Sequence, residues 1–132
     1  MTYETFTVDI DSDGIALVTI DVPGVSMNVW NEALITDFKA FVPELNSNDT
    51  IKGAVITSGK KSGFLAGADL NMLGASKADS MAEAFASAWE LNALLRRMET
   101  GGNNAKDLLK GTAHAKPVAC ALNGLALGGG LE

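Results

Sequence analysis

Phe64-Leu-Ala-Gly-Ala-Asp-Leu70 and Asn123-Gly-Leu-Ala-Leu-Gly-Gly-Gly-Leu-Glu132 are the two glycine-rich stretches that dominate this chain. Each follows a short apolar run with the character of a buried strand, and each opens toward a helix. A chain passing from a strand through small residues into a helix start leaves backbone N–H groups unpaired and directed outward. One such turn is common. Two of them in 132 residues suggest donors paired on a single developing negative charge, the arrangement of an oxyanion hole. The second stretch ends in a carboxylate, Glu132, placed to serve as acid or base beside that hole.

Outward from these turns, residues 6–10 and 15–22 read as strands, and Asp11-Ser-Asp-Gly14 supplies hairpin chemistry with Gly14 free to take a positive φ. Pro23-Gly24 ends the second strand. A helix follows, with Asn28 as its expected cap and Leu34, Phe38, Phe41 and Leu45 on one buried face, until Asn46-Ser-Asn-Asp49 stops it. Residues 53–57 form the next strand and lead into the first glycine turn. A short helix is expected after Asp69, then a longer one over about residues 79–98. On the latter, Met81, Phe85, Ala88, Asn92 and Leu95 make a core stripe, and Arg96 and Arg97 suit its carboxyl end. Gly101-Gly-Asn-Asn104 breaks the chain, residues 105–113 offer another helical piece, and residues 117–122 a last strand. This order predicts an α/β or α+β layered fold.

The composition narrows the function. At 132 residues and 47% hydrophobic content, the chain fits one ordinary globular domain. A net charge of −6 argues against nucleic-acid binding, which needs a basic surface. It leaves room for a small polyanion held by a few lysines, for which Lys60 and Lys61 are candidates beside the reading as a solvated pair. The lone Cys120 forms no internal disulfide and is expected to be a small buried hydrophobe. No leader pattern and no membrane-length apolar run is present, so a soluble, cytoplasmic protein is expected.

Rival motifs fail on spacing. Gly53 and Gly59 are separated by five residues where a phosphate-binding P-loop has four, and Lys61 follows Lys60 where a hydroxyl is needed. Gly128-Gly-Gly130 lacks the downstream glycine and acidic partner of a dinucleotide site. His114 and Cys120 have no paired metal-ligand spacing, and His114 reads as an exposed loop residue, so no metal is expected.

The Ala-Gly-Ala-Asp-Leu and Asn-Gly-Leu-Ala-Leu-Gly-Gly-Gly-Leu-Glu runs resemble the two signature segments of the crotonase superfamily, the enoyl-CoA hydratases and isomerases. Pro23-Gly-Val-Ser-Met-Asn28 and Gly67-Ala-Asp-Leu-Asn-Met72 more narrowly resemble the amino-terminal part of the multifunctional β-oxidation subunit, which joins a hydratase to a 3-hydroxyacyl-CoA dehydrogenase. The resemblance implies a spiral of strand-strand-helix units, often assembled as trimers, or a complex with a thiolase. It implies oxyanion donors at the N–H groups of Ala68 and Gly129 and catalysis by Glu132. It also implies acyl-CoA contacts from Met27, Ala66, Gly67, Ala68, Asp69 and Leu70 on one side, and from Gly128 and Gly129 on the other. Asp69 has an alternative reading as a helix N-cap, which is favoured over catalysis.

On this resemblance the chain is a partial crotonase-like domain, the amino-terminal part of a longer protein and inactive alone. The family's second catalytic glutamate lies past residue 132. No cofactor is expected in this segment, and NAD would belong to a separate dehydrogenase domain. The expected activity is hydration of a 2-enoyl-CoA. Isomerase or other crotonase-fold acyl-CoA chemistry, and a non-catalytic acyl-CoA-binding or assembly role, are the alternatives, because a fold does not fix a reaction.

Overall fold

The computed structural model describes residues 2–70 and 81–131. Four strands form one sheet in the order β1 (Phe6–Ile10), β2 (Ile15–Ile20), β3 (Gly53–Ser58) and β4 (Val118–Cys120). The first pair is antiparallel, with Phe6 opposite Ile20 and Ile10 opposite Ala16. The hairpin forms as the sequence suggests: Asp11 Oδ1 accepts from the N–H groups of Asp13 and Ile15, and Gly14 has φ 83°. β3 runs parallel to β2, and β4 parallel to β3.

Helix α1 (Glu32–Ser47) makes the crossover from β2 to β3. Its Leu34, Phe38, Phe41, Val42 and Leu45 are buried against Phe6, Val18, Ile20 and Ile56 of the sheet. Phe38 sits edge-on to both Phe6 and Trp30, with ring centroids 5.2 Å apart in each case, an arrangement that suits the ring quadrupoles. The amino-terminal segment is tied to α1 through Asp37, whose Oδ2 accepts from the N–H groups of Glu4 and Thr5 and from the Thr5 hydroxyl. At the other end of α1, the Lys116 ammonium donates to the carbonyls of Leu45 and Asn48, at 2.7 and 2.6 Å. A cation at a helix carboxyl end satisfies orphan carbonyls and complements the dipole, and here it also fixes the approach to β4.

Three expectations change. The cap of α1 is Asn31, whose side chain accepts from the Leu34 N–H at 2.9 Å, and not Asn28. On helix α2 (Met81–Thr100), Leu94 is buried and Leu91, Leu95 and Met98 pack on the core, whereas Phe85 is 67% exposed and stacks on the exposed Trp89. Among the described residues, only those in the carboxyl half of the stripe pack on the core. The side chains of Met81 and Ala88 lie outside the described part. Cys120 is exposed: β4 is a three-residue edge strand, and Cys120 lines an open cleft. A short helix α3 (Ala105–Leu109), capped by Asn104, lies between α2 and β4.

Candidate active site

Asn28 holds the base of the site. It is fully buried, and its carboxamide accepts from the Val22 N–H and donates to Ile20 O, Ser58 Oγ and Phe64 O at 2.9–3.2 Å. One side chain thus joins the ends of β2 and β3 to the chain entering the first glycine turn. Its main-chain carbonyl accepts from the Ala66 N–H at 2.9 Å. A buried amide is tolerated only when its polar atoms are satisfied, and all of them are.

The turn is then clamped by Trp30. The Trp30 N–H donates to Gly67 O at 2.8 Å, and Trp30 O accepts from the Asp69 N–H at 3.1 Å, which makes a parallel bridge between Trp30 and Ala68. The carbonyl of Gly67 and the N–H of Ala68 belong to one planar peptide and point in opposite directions. With that carbonyl aimed at Trp30, the Ala68 N–H points away from it. Gly67 reaches this geometry at φ 90°, a region where side chains with a Cβ are strained.

The second turn lies on the other side of the same segment. Leu65 and Ala126 form a parallel bridge, Phe64 N–H donates to Leu125 O, and Leu127 N–H donates to Leu65 O at 3.0 Å. Gly128–Gly130 is a single 3₁₀ turn, with no body of a following helix among the described residues. A Cβ built on Gly130 would lie 2.1 Å from Leu65 O, so only a glycine allows this approach. A Cβ on Gly67 would lie 3.0 Å from Leu127 O and 3.7 Å from Gly129 N, which brings the two glycine turns into contact. Among the described residues no backbone hydrogen bond uses the N–H of Ala68 or of Gly129.

The structure distributes the remaining expected residues around this junction. Ala68, Gly128 and Gly129 are exposed, Gly67 is buried, and Met27, Ala66 and Asp69 are half-buried. Leu70 is 80% exposed, and the short helix expected after Asp69 lies outside the described residues. Glu132 lies outside the described residues. Lys60 is committed elsewhere, donating to Val22 O at 2.7 Å and pairing with Asp21 at 2.6 Å, while Lys61 is exposed. His114 is exposed, as its loop position suggests.

A cleft of about 710 Å³ opens beside the second turn, walled by Trp30, Leu65, Leu95, Cys120, Gly129 and Leu131 among others. Ala68 is not one of its walls. Although the residue is exposed, partial desolvation against this wall pushes the Cys120 thiol above its ordinary range. Among the described residues no three His, Cys, Asp or Glu side chains gather where a metal ion could sit, and no helix is long and apolar enough to cross a membrane.

The sequence reading missed Trp30 and Gly130 and gave Asn28 the wrong task. Asn28 precedes a helix and so mimics a cap, and nothing local marks its contacts with residues 58 and 64. For Gly130 the signal was present as the third glycine of the run, read there as part of a wall facing a ligand.

No protein-family profile matches the chain. It is 36% identical over 129 residues to the fatty acid oxidation complex subunit alpha of Idiomarina loihiensis, covering 98% of this chain and 16% of that protein. The chain thus spans only a small part of that relative's length. Its structure superposes on the enoyl-CoA hydratase of Bacillus anthracis with a TM-score of 0.73 at 19% identity, over 96% of this chain and 42% of that one. It superposes on a methylmalonyl CoA decarboxylase with a TM-score of 0.66 at 19% identity, over 98% and 41%. Along nearly its whole length the chain is similar to a fatty acid oxidation complex α subunit, and it has the crotonase fold of the enoyl-CoA hydratases.

Proposed function

We propose that this chain supplies the oxyanion-stabilising part of an enoyl-CoA hydratase of fatty-acid oxidation. The observation that carries the reading is the contact between two glycine turns, each presenting an N–H group, of Ala68 and Gly129, that takes no backbone acceptor among the described residues. Addition of water to a 2-enoyl thioester places negative charge on the thioester oxygen. Two fixed amides at that oxygen stabilise the enolate, and each such donor typically contributes about 3 kcal/mol to the barrier reduction. The exposed backbone of residues 66–70 and 128–129 would receive the acyl-CoA, and Glu132 would orient and deprotonate the attacking water or protonate Cα. NAD chemistry has no part in this step.

The decarboxylase among the structural neighbours shows that this fold hosts more than one acyl-CoA reaction, so the assignment rests on Glu132 and not on the fold. The test uses the intact protein with crotonyl-CoA, following loss of the conjugated thioester absorbance. Glu132→Gln is expected to abolish turnover while leaving CoA affinity nearly intact. Unchanged turnover removes Glu132 from the mechanism. Absence of turnover in the parent protein, with acyl-CoA still bound, favours a binding or assembly role. Trimeric assembly and a thiolase partner belong to the same proposal and are read by sizing the intact protein with and without that partner.

A further inference from the structure

We infer that Trp30 is a positioning residue that holds the two amides of the proposed oxyanion hole in register, an inference that rests on the hydratase reading. Trp30 touches both turns through different atoms. Its main-chain N–H and carbonyl bind Gly67 O and the Asp69 N–H, which fixes the peptide plane carrying the Ala68 N–H. Its indole Nε1–H donates to the Gly129 carbonyl at 2.9 Å, across 99 residues of sequence. The Gly129–Gly130 peptide is held from its other edge by Gly130 N–H donating to Leu127 O at 2.9 Å. With that plane fixed at both edges, only the φ and ψ of Gly129 separate it from the Gly129 N–H.

The indole is itself immobilised. Trp30 is 5% exposed and packs edge-on against Phe38 at an interplanar angle of 67°, which holds the ring against Gly129. Asn28, two residues earlier, anchors the segment to β2 and β3 through its buried carboxamide. The sheet therefore sets Trp30, and Trp30 sets the spacing between the turns. A static donor pair has catalytic value only when placed to within a fraction of an ångström, and a modest misplacement costs a large factor in rate.

The test replaces the donor and keeps the shape. In the intact protein, with Trp89→Phe as background, position 30 carries either benzothienylalanine, which has the bicyclic ring without an N–H, or 5-fluorotryptophan, which retains the N–H. Trp30→Phe is a third variant. Benzothienylalanine and Trp30→Phe are expected to lower kcat about tenfold with KM nearly unchanged, and 5-fluorotryptophan to keep the parent kcat. Amide hydrogen exchange supplies a readout independent of turnover. Residues 129–131 are expected to exchange faster when the donor is lost, with the Asp69 amide unaffected. Parent-like kcat and parent-like exchange with benzothienylalanine overturn the inference, as does an equal loss with both tryptophan analogues. If the parent hydrates nothing, the hydratase reading fails, and the exchange contrast alone decides whether Trp30 clamps the second turn.

Discussion

Gly130→Ala separates the close approach of the two turns from every other property of the glycine run. A Cβ at this position would lie 2.1 Å from Leu65 O, 2.6 Å from Leu65 C and 3.0 Å from Gly67 N. All three obstacles are backbone atoms, so no rotamer change relieves them. To move from 2.1 Å to the 3.4 Å at which ordinary contact begins, the second turn must retreat by about 1.3 Å. That retreat breaks the bond from Leu127 N–H to Leu65 O and the bond from the Trp30 indole to Gly129 O. At about 1 kcal/mol each, the loss is about 2 kcal/mol, inside the range of about 1–3 kcal/mol typical of overpacking. Urea unfolding of the intact protein measures it. Gly129→Ala is the control, because a Cβ there meets only Trp30 Cδ1 at 3.9 Å and the residue has no positive φ. Its stability is expected to stay within about 0.5 kcal/mol of the parent, the usual bound for a substitution that disturbs no packing. Crotonyl-CoA turnover in Gly130→Ala is expected to fall about a hundredfold, as a misplacement near 1 Å predicts. Equal stability of Gly130→Ala and the parent would refute the reasoning, since the contact at Leu65 would then not constrain the turn.

Two further predictions concern the scaffold. Asn28→Ala strips partners from the Val22 N–H, the Ile20 and Phe64 carbonyls and the Ser58 hydroxyl, all in a buried setting, and is expected to cost about 3–5 kcal/mol by denaturant unfolding; a loss below about 1 kcal/mol would deny it the role of anchor. Burial, helped by the Glu44 carboxylate 2.7 Å from its hydroxyl, pushes the Tyr3 phenol well above its ordinary value near 10. Above that value the folded chain retains a proton that the unfolded chain releases, so this contribution is complete below pH of about 10 and declines as pH rises toward the folded pKa. Tyr3→Phe is therefore expected to flatten the loss of stability above about pH 10 relative to the parent, and superimposable pH profiles would count against the assignment.

Most of the architecture can be read from period and punctuation. Residues 6–10 alternate, the 34–45 face steps at helical spacing, and β1, β2, β3 and the end of α1 fall within a residue or two of their expected limits, while α1 starts three residues late. The errors share a cause. Asn28 carries the residue type of a cap ahead of a helix, and Asn31 carries it too, three residues later. Local chemistry does not distinguish them; the difference lies in Ser58 and Phe64, which the fold brings to Asn28 from 30 and 36 residues away. Cys120 and Phe85 have apolar neighbours in sequence and so read as core, yet their burial depends on whether another element covers them, which periodicity does not report. The site divides along the same line. Its glycine turns are visible because close approach and positive φ demand particular residue types. Its tryptophan is invisible because an indole that binds a carbonyl looks in sequence like any core aromatic.

This division bears on where the precision of such a site resides. The Ala68 N–H is directed by a carbonyl bond to Trp30, the first turn is hung from Asn28, and the second turn is held off by nothing larger than the hydrogen of Gly130. The glycine motifs provide backbone that is free to approach and free to donate, but freedom alone gives no fixed distance between two donors. The distance comes from residues 28–30, a short stretch with no signature of its own, wedged between the ends of β2 and β3 and both turns. A substitution there that leaves every glycine in place would still change what the paired amides can bind. It follows that grafting the two glycine turns onto another scaffold without an equivalent of Asn28 and Trp30 would reproduce the donors but not their spacing.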